Sequence, residues 1–382
     1  MRQIWRGARI FDGERLHDGM ALAVEGGRIA GLVPDTGSGL DLRGGILAPG
    51  FVDLQVNGGG GALLGQGDPD AALAAICAAH AGLGTTGLLP TLITADPDTT
   101  QAVIQAGLRA ARTGLPGFLG LHLEGPHLDP RRKGAHDRAL IRPMTDADLA
   151  QLTRAAQDLP ALMVTLAPEA ATPAQIATLA AAGAVVSLGH SDCTEDAARA
   201  ALDAGARAVT HLYNAMSPLA HRAPGLVGAA LDSHAAAGII ADGVHVAPTA
   251  FRLAARLAAG RLHVVTDAMA VAGSDLTAFT LNGRRIRRGE GRLTLDDGTL
   301  AGADITLPQS LRWITHQAGL TIESALAMMT RIPATLIGAT DRGRLVHGAR
   351  ADLVHLSDEL ALTAAWRAGV PLPLCASNIL GG

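Results

Sequence analysis

Short apolar runs recur along the chain, each followed by an alanine-rich stretch with helical spacing. Eight runs read as strands: Ile46–Val56, Gly87–Leu92, Phe118–Glu124, Leu162–Leu166, Ala184–Gly189, Ala208–His211, Gly238–Ala241 and Leu262–Asp267. Several intervening helices start with a capping side chain followed by proline at the first helical position: Asp68-Pro69, Asp96-Pro97 and Thr172-Pro173. Eight βα units suit a closed barrel, although a doubly wound open sheet uses the same alternation. The two ends of the chain differ from its middle. Residues 1–47 are short alternating runs broken by glycine, including Ala21–Glu25, the turn Gly26-Gly27 and Arg28–Val33. The tail repeats that pattern with Arg344–Val346, a turn at His347-Gly348 and Ala351–Leu356. The expected fold is therefore α/β: a (β/α)8 TIM-type barrel over residues 48–344, with a small β-sandwich domain formed by 1–47 and 345–382. Hairpin turns at Asn282-Gly283 and Asp297-Gly298 mark an excursion, Phe279–Gly302, expected to fold over one rim of the barrel.

The polar residues at the strand ends favour the barrel. Glu124, His190, His211 and Asp267 stand at or just past the third, fifth, sixth and eighth strands. An open sheet would spread them along an edge, whereas a barrel brings them to one rim. Two imidazoles and one carboxylate make a ligand set for a catalytic divalent metal with a position left open. Nitrogen and carboxylate oxygen suit zinc, with iron or cobalt as alternatives. Taken singly, each histidine is equally well explained as a hydrogen-bonded surface residue; together at three strand ends they read as a metal site. Asp267 reads as a proton acceptor beside it, or as a cap. His122, two residues before Glu124 and on the same face of the strand, reads as support for the ligands.

Composition narrows the classes of function. Lys+Arg total 31 against 35 Asp+Glu, a net charge of −4, so no nucleic-acid or anionic-membrane partner is indicated. Aromatic residues make up only 2% of the chain, which leaves little for base stacking. Three cysteines without a CxxC pair exclude a disulfide framework and a thiolate zinc site and suit a reducing cytoplasm. No secretory signal and no spanning stretch is expected. The Gly58–Gly61 run lacks the Lys-Ser/Thr of a phosphate loop. The basic knot Arg284, Arg285, Arg287 and Arg288 is expected to be a solvated face.

Pro49-Gly50-Phe51-Val52-Asp53, at the junction of the small domain and the barrel, resembles the amidohydrolase superfamily. There, His-x-His usually follows and binds a metal; here Gln55 and Asn57 stand instead. Amides are poor ligands for a transition metal, so one metal per subunit is expected, with Gln55 and Asn57 occupying a vacated second site or supporting the first. Leu121–His127, Lys133-Gly134-Ala135-His136, Gly189-His190-Ser191, His211–Met216, Asp242-Gly243-Val244-His245 and Val265–Ala268 together resemble the N-acetylglucosamine-6-phosphate deacetylase family over nearly the whole chain. The resemblance implies metal ligands at Glu124, His190 and His211, a catalytic Asp267, and His136 near the acetamido carbonyl. It implies substrate contacts from Ala135, Asn214, Ala215, Asp242, His245 and Leu300-Ala301-Gly302. Arg222 matches a phosphate-binding arginine supplied by the neighbouring subunit, which implies a homodimer; a planar guanidinium suits phosphate. The implied substrate is N-acetylglucosamine 6-phosphate, with its galactosamine epimer as the alternative. A different amidohydrolase and a catalytically silent sugar-phosphate sensor remain further alternatives.

Overall fold

The computed structural model describes residues 2–375; the end of the expected small domain, 376–382, lies outside the described residues. Eight strands form one parallel sheet in sequence order: β1 (Phe51–Val56), β2 (Thr85–Ile93), β3 (Leu121–Glu124), β4 (Leu162–Leu166), β5 (Val185–Leu188), β6 (Ala208–Val209), β7 (Ala236–Ile239) and β8 (Leu262–Val264). The segment after β8 closes the sheet on β1. Asp267 N–H donates to the Gln55 carbonyl at 3.0 Å, Asn57 N–H donates to the Ala268 carbonyl at 2.8 Å, and Val56 bridges Ala268 in parallel. The Thr266 hydroxyl fastens the same seam by donating to Asp53 at 2.6 Å. The interior is filled by Val52, Leu54, Leu89, Met163, Val185, Ala208 and Val265, a packed core rather than a pore.

The capping chemistry is as expected. Asp68 accepts from Asp70 N–H, Asp96 from Thr99 N–H, and Thr172 forms a reciprocal capping box with Gln175. Strand ends differ from the sequence reading for identifiable reasons. The first expected strand splits at Gly50: Ile46–Pro49 pairs antiparallel with Leu353–Leu356, and β1 begins at Phe51. A Cβ at Gly50 would stand 2.1 Å from the Thr86 hydroxyl, so the chain passes between sheets where no side chain fits. β3 starts only at Leu121, after Gly120 with φ 141. β7 lies two residues earlier than expected, because the run Ala235–Ala241 is apolar throughout and offers no period to place its ends. The sixth and eighth strands stop early, ahead of left-handed backbone at His211 and Asp267.

Both ends of the chain contribute to a pair of smaller sheets. One has the order Arg28–Pro34, Met20–Glu25, Arg2–Arg6, Leu40–Asp41; the other joins Arg9–Phe11 and Ile46–Pro49 to Leu353–Leu356 and Leu362–Arg367. Trp5, Leu22, Leu47, Leu353 and Trp366 pack between them, with the two indoles edge to face at 5.9 Å. After β8, four antiparallel strands (Ala278–Leu281, Arg284–Gly289, Arg292–Thr294, Leu300–Ala303) form the expected excursion. Asn282 and Gly283 both take positive φ, as a tight hairpin turn requires. Among the described residues, no helix is long and apolar enough to cross a membrane.

Candidate active site

Three of the four polar residues at the strand ends adopt left-handed backbone: His190 (φ 47), His211 (φ 30) and Asp267 (φ 50). Each lies two or three residues beyond its strand, where the turn carries its side chain over the rim. Such conformations cost on the order of 1–3 kcal/mol each and concentrate at functional sites. Glu124, the last residue of β3, reaches the same point directly.

The three side chains converge on one spot. His211 Nε2 is 3.1 Å and His190 Nε2 3.3 Å from Glu124 Oε1, and the two Nε2 atoms are 3.0 Å apart. All three residues are buried. His190 Nδ1 donates to the Arg132 carbonyl at 2.8 Å, which fixes its ring and leaves Nε2 as a lone-pair donor toward the cluster. His211 Nδ1 is buried with no partner among the described residues. A single proton cannot satisfy three mutually crowded donors, whereas one divalent cation can, so the set fits a metal. Burial alone would favour a neutral Glu124, but the two imidazoles against it hold its carboxyl well below the usual range.

Asp267 stands beside this cluster, oriented by two amides. Asn57 Nδ2 donates to its Oδ1 at 2.6 Å and Gln55 Nε2 to the same oxygen at 3.2 Å. Gln55 Nε2 also reaches Glu124 Oε1 at 3.1 Å. Both amides address Oδ1, which leaves Oδ2 available to a proton. Burial and the charge of Glu124 raise the Asp267 carboxyl to about 6. The amides thus sit where the superfamily pattern has histidines, and in this geometry they serve as hydrogen-bond donors.

His136 packs against His190 with ring centroids 4.3 Å apart, and its Nε2 lies 3.7 Å from Glu124 Oε2. Burial pushes its imidazole down to about 3, so it is neutral. On its far side, Nδ1 contacts Thr94.

Glu124, His136, His190, His211, Asp267 and Asn57 line a cleft of about 390 Å³. Ala135, Asn214, Ala215, His245, Leu300 and Gly302 share its wall, while Ala301 is buried in the core of the excursion. Asp242 sits behind His245: its carboxylate bonds His245 Nδ1 at 2.6 Å and accepts two backbone N–H groups at 2.8 Å. His122 lies beneath the rim, donating from Nδ1 to the Leu54 carbonyl and accepting at Nε2 from the Thr165 hydroxyl. Arg222 is exposed on a tight turn closed by Ala220 and Ala223, away from the cleft of its own chain.

Other wall residues were not singled out from sequence. Ile93, Arg131, Arg132, Met269, Leu281 and Thr299 are among them. Ile93 ends β2, so the rim rule that selected Glu124 applies to it and to Thr94, but neither offers an ionisable group to draw notice. The basic knot needs correction. Arg284 is half-buried and donates to the Ala135 carbonyl, and Arg288 pairs with Asp304 at 2.8 Å; only Arg285 and Arg287 are exposed. The excursion is therefore anchored to the loop that carries His136.

Comparison with known proteins agrees with this geometry. Residues 46–371 match the model of the amidohydrolase family. The chain is 39% identical over 376 residues to the N-acetylgalactosamine-6-phosphate deacetylase of Shewanella sp. (strain ANA-3), covering 95% of this chain and 94% of that one. It is 36% identical to the N-acetylglucosamine-6-phosphate deacetylase of Homo sapiens, covering 96% and 90%. The crystal structure of N-acetylglucosamine-6-phosphate deacetylase from Pasteurella multocida superposes with a TM-score of 0.93 at 33% identity, over 97% of this chain and 99% of that one.

Proposed function

The chain belongs to the amidohydrolase family, among the deacetylases of amino-sugar 6-phosphates, and on that premise we propose that it hydrolyses N-acetyl-D-glucosamine 6-phosphate to D-glucosamine 6-phosphate and acetate. The observation that carries this reading is the convergence of Glu124, His190 and His211 beside an aspartate whose Oδ2 is left free. Zinc, iron or cobalt matches these ligands, one ion per subunit. Such an ion supplies Lewis acidity, which makes water a nucleophile near neutral pH and polarises a carbonyl.

Asp267 accepts the proton of the attacking water at Oδ2, while Asn57 and Gln55 hold Oδ1. The water oxygen bonds to the acyl carbon, and His136 faces the oxygen on which charge develops. Asp267 then returns the proton to the sugar nitrogen as the C–N bond breaks, so the amine leaves neutral. His245, held by Asp242, and Arg222 of a second copy receive the 6-phosphate, which makes the working form a homodimer. The exposure of Arg222 outside its own cleft supports that assignment. Three unpaired thiols suit a cytoplasmic setting.

The 39% identity to a relative named N-acetylgalactosamine-6-phosphate deacetylase favours N-acetylgalactosamine 6-phosphate as a second reading. Acetate release from both epimers, with and without chelation and metal replacement, tests the proposal. Turnover of the gluco epimer with the higher kcat/KM is expected; preference for the galacto epimer assigns the second reading, and release from neither rejects both. Arg222→Ala should raise KM for the phosphorylated sugar far more than for the unphosphorylated one.

A further inference from the structure

Thr94 stands one residue past β2 and is buried against the ring of His136. Two of its atoms meet the same nitrogen: the backbone N–H points at His136 Nδ1 at 3.3 Å, and the hydroxyl oxygen is 2.7 Å from it. A backbone N–H can only donate, so Nδ1 must present its lone pair. The hydroxyl then donates to that lone pair as well, because Oγ1 and Nδ1 cannot both be acceptors in a contact of this length. A neutral imidazole with an accepting Nδ1 carries its one hydrogen on Nε2. That nitrogen faces the metal cluster and the cleft, 3.7 Å from Glu124 Oε2.

We propose that Thr94 is a positioning residue that fixes His136 in its Nε2–H form, so that the ring presents a donor and no lone pair to the reacting carbonyl oxygen. The opposite tautomer would turn a lone pair on the developing oxyanion and repel it. His190 provides the internal contrast. There a carbonyl at Nδ1 enforces the reverse arrangement and frees Nε2 as a ligand. Two histidines with rings in contact are thus assigned opposite roles by what stands behind each: a backbone acceptor behind the ligand, a hydroxyl and an N–H behind the donor. The packing here is close, since a Cβ on Gly125 would fall 2.3 Å from the Thr94 hydroxyl.

The inference rests on the deacetylase reading for its consequence, but the tautomer is measurable without turnover. Long-range ¹H–¹⁵N spectra of the metal-loaded protein, with His136 identified by its loss in His136→Gln, should show a pyridine-type Nδ1 and a pyrrole-type Nε2. Thr94→Ser should preserve that pattern and keep kcat near normal. Thr94→Val, similar in shape but without the hydroxyl, leaves only the longer backbone N–H contact at 3.3 Å behind Nδ1; it should mix the tautomers and lower kcat roughly 10- to 100-fold with little change in KM, a partial loss of the ~10²–10³-fold that one oxyanion donor supplies. A wild-type His136 protonated on Nδ1 overturns the proposal, whether or not acetate is released. So does a Thr94→Val enzyme with unchanged spectrum and unchanged kcat, or a Thr94→Ser enzyme as impaired as the valine variant.

Discussion

Replacing Asp267 by asparagine separates its role as a base from its place in the structure. Oδ1 accepts from Asn57 Nδ2 at 2.6 Å and from Gln55 Nε2 at 3.2 Å. The amide oxygen of Asp267→Asn can keep both bonds, which puts its NH2 group where Oδ2 stood. An amide nitrogen cannot take a proton from water or return one to the departing amine. General acid–base catalysis contributes typically ~10²–10⁴-fold, so kcat should fall by that range, about 3–5 kcal/mol in the barrier. Glu124, His190 and His211 make no hydrogen bond that depends on the Asp267 charge, so metal content should be unchanged. Initial-rate acetate assays, metal analysis by mass spectrometry and thermal melting on one preparation provide the readouts. A kcat within tenfold of the parent would refute the assignment of the base. Loss of the metal would refute it differently, by placing Asp267 among the ligands.

Arg284→Ala removes the bond from the excursion to the Ala135 carbonyl, beside His136. A charged hydrogen bond is worth roughly 1.5–3 kcal/mol; because Arg284 is only partly buried, KM should rise about 3- to 10-fold, and trypsin should cut the 284–292 segment faster, whereas an unchanged KM and cleavage rate would show the anchor to be idle. Stability should fall in mild acid because burial pushes His80 and His263 down to about 4 from 6.5. The unfolded chain binds the extra protons, so this stabilisation is complete above about pH 6.5 and is lost as pH falls toward 4. At pH 5 each group costs about 2 kcal/mol. Urea midpoints from pH 7.5 to 4.5 in parent and His263→Gln chains should differ in slope; parallel curves would contradict the buried neutral histidine.

Much of this was legible because strand ends obey a positional rule. A carboxylate or imidazole where an apolar run stops is conspicuous, and barrel closure brings such positions together, so Glu124, His190, His211 and Asp267 could be grouped without coordinates. Capping residues at Asp68, Asp96 and Thr172 were equally plain, since their chemistry is local. What remained hidden is chemistry that depends on approach across the fold. Thr94 is an ordinary threonine until the loop bearing His136 lays a ring nitrogen against it. Arg284 read as solvated because nothing nearby in sequence offers it an acceptor; the Ala135 carbonyl is supplied by a loop 149 residues away. The break at Gly50 was hidden for a similar reason, as the Thr86 hydroxyl that forbids a side chain there belongs to the next strand. That two amides at positions 55 and 57 would both bond one oxygen of Asp267 also needed the closed seam between β1 and the segment after β8.

The central claim is that water, deprotonated at Asp267, attacks the acyl carbon of an acetamido sugar phosphate held in this cleft. Turnover in H₂¹⁸O followed by mass spectrometry of both products tests it most directly. The account predicts one ¹⁸O atom in the acetate and none in the amino-sugar phosphate, at a rate that disappears on chelation and returns with zinc, iron or cobalt. Label in the sugar phosphate, or acetate release that survives complete removal of the metal, would contradict it.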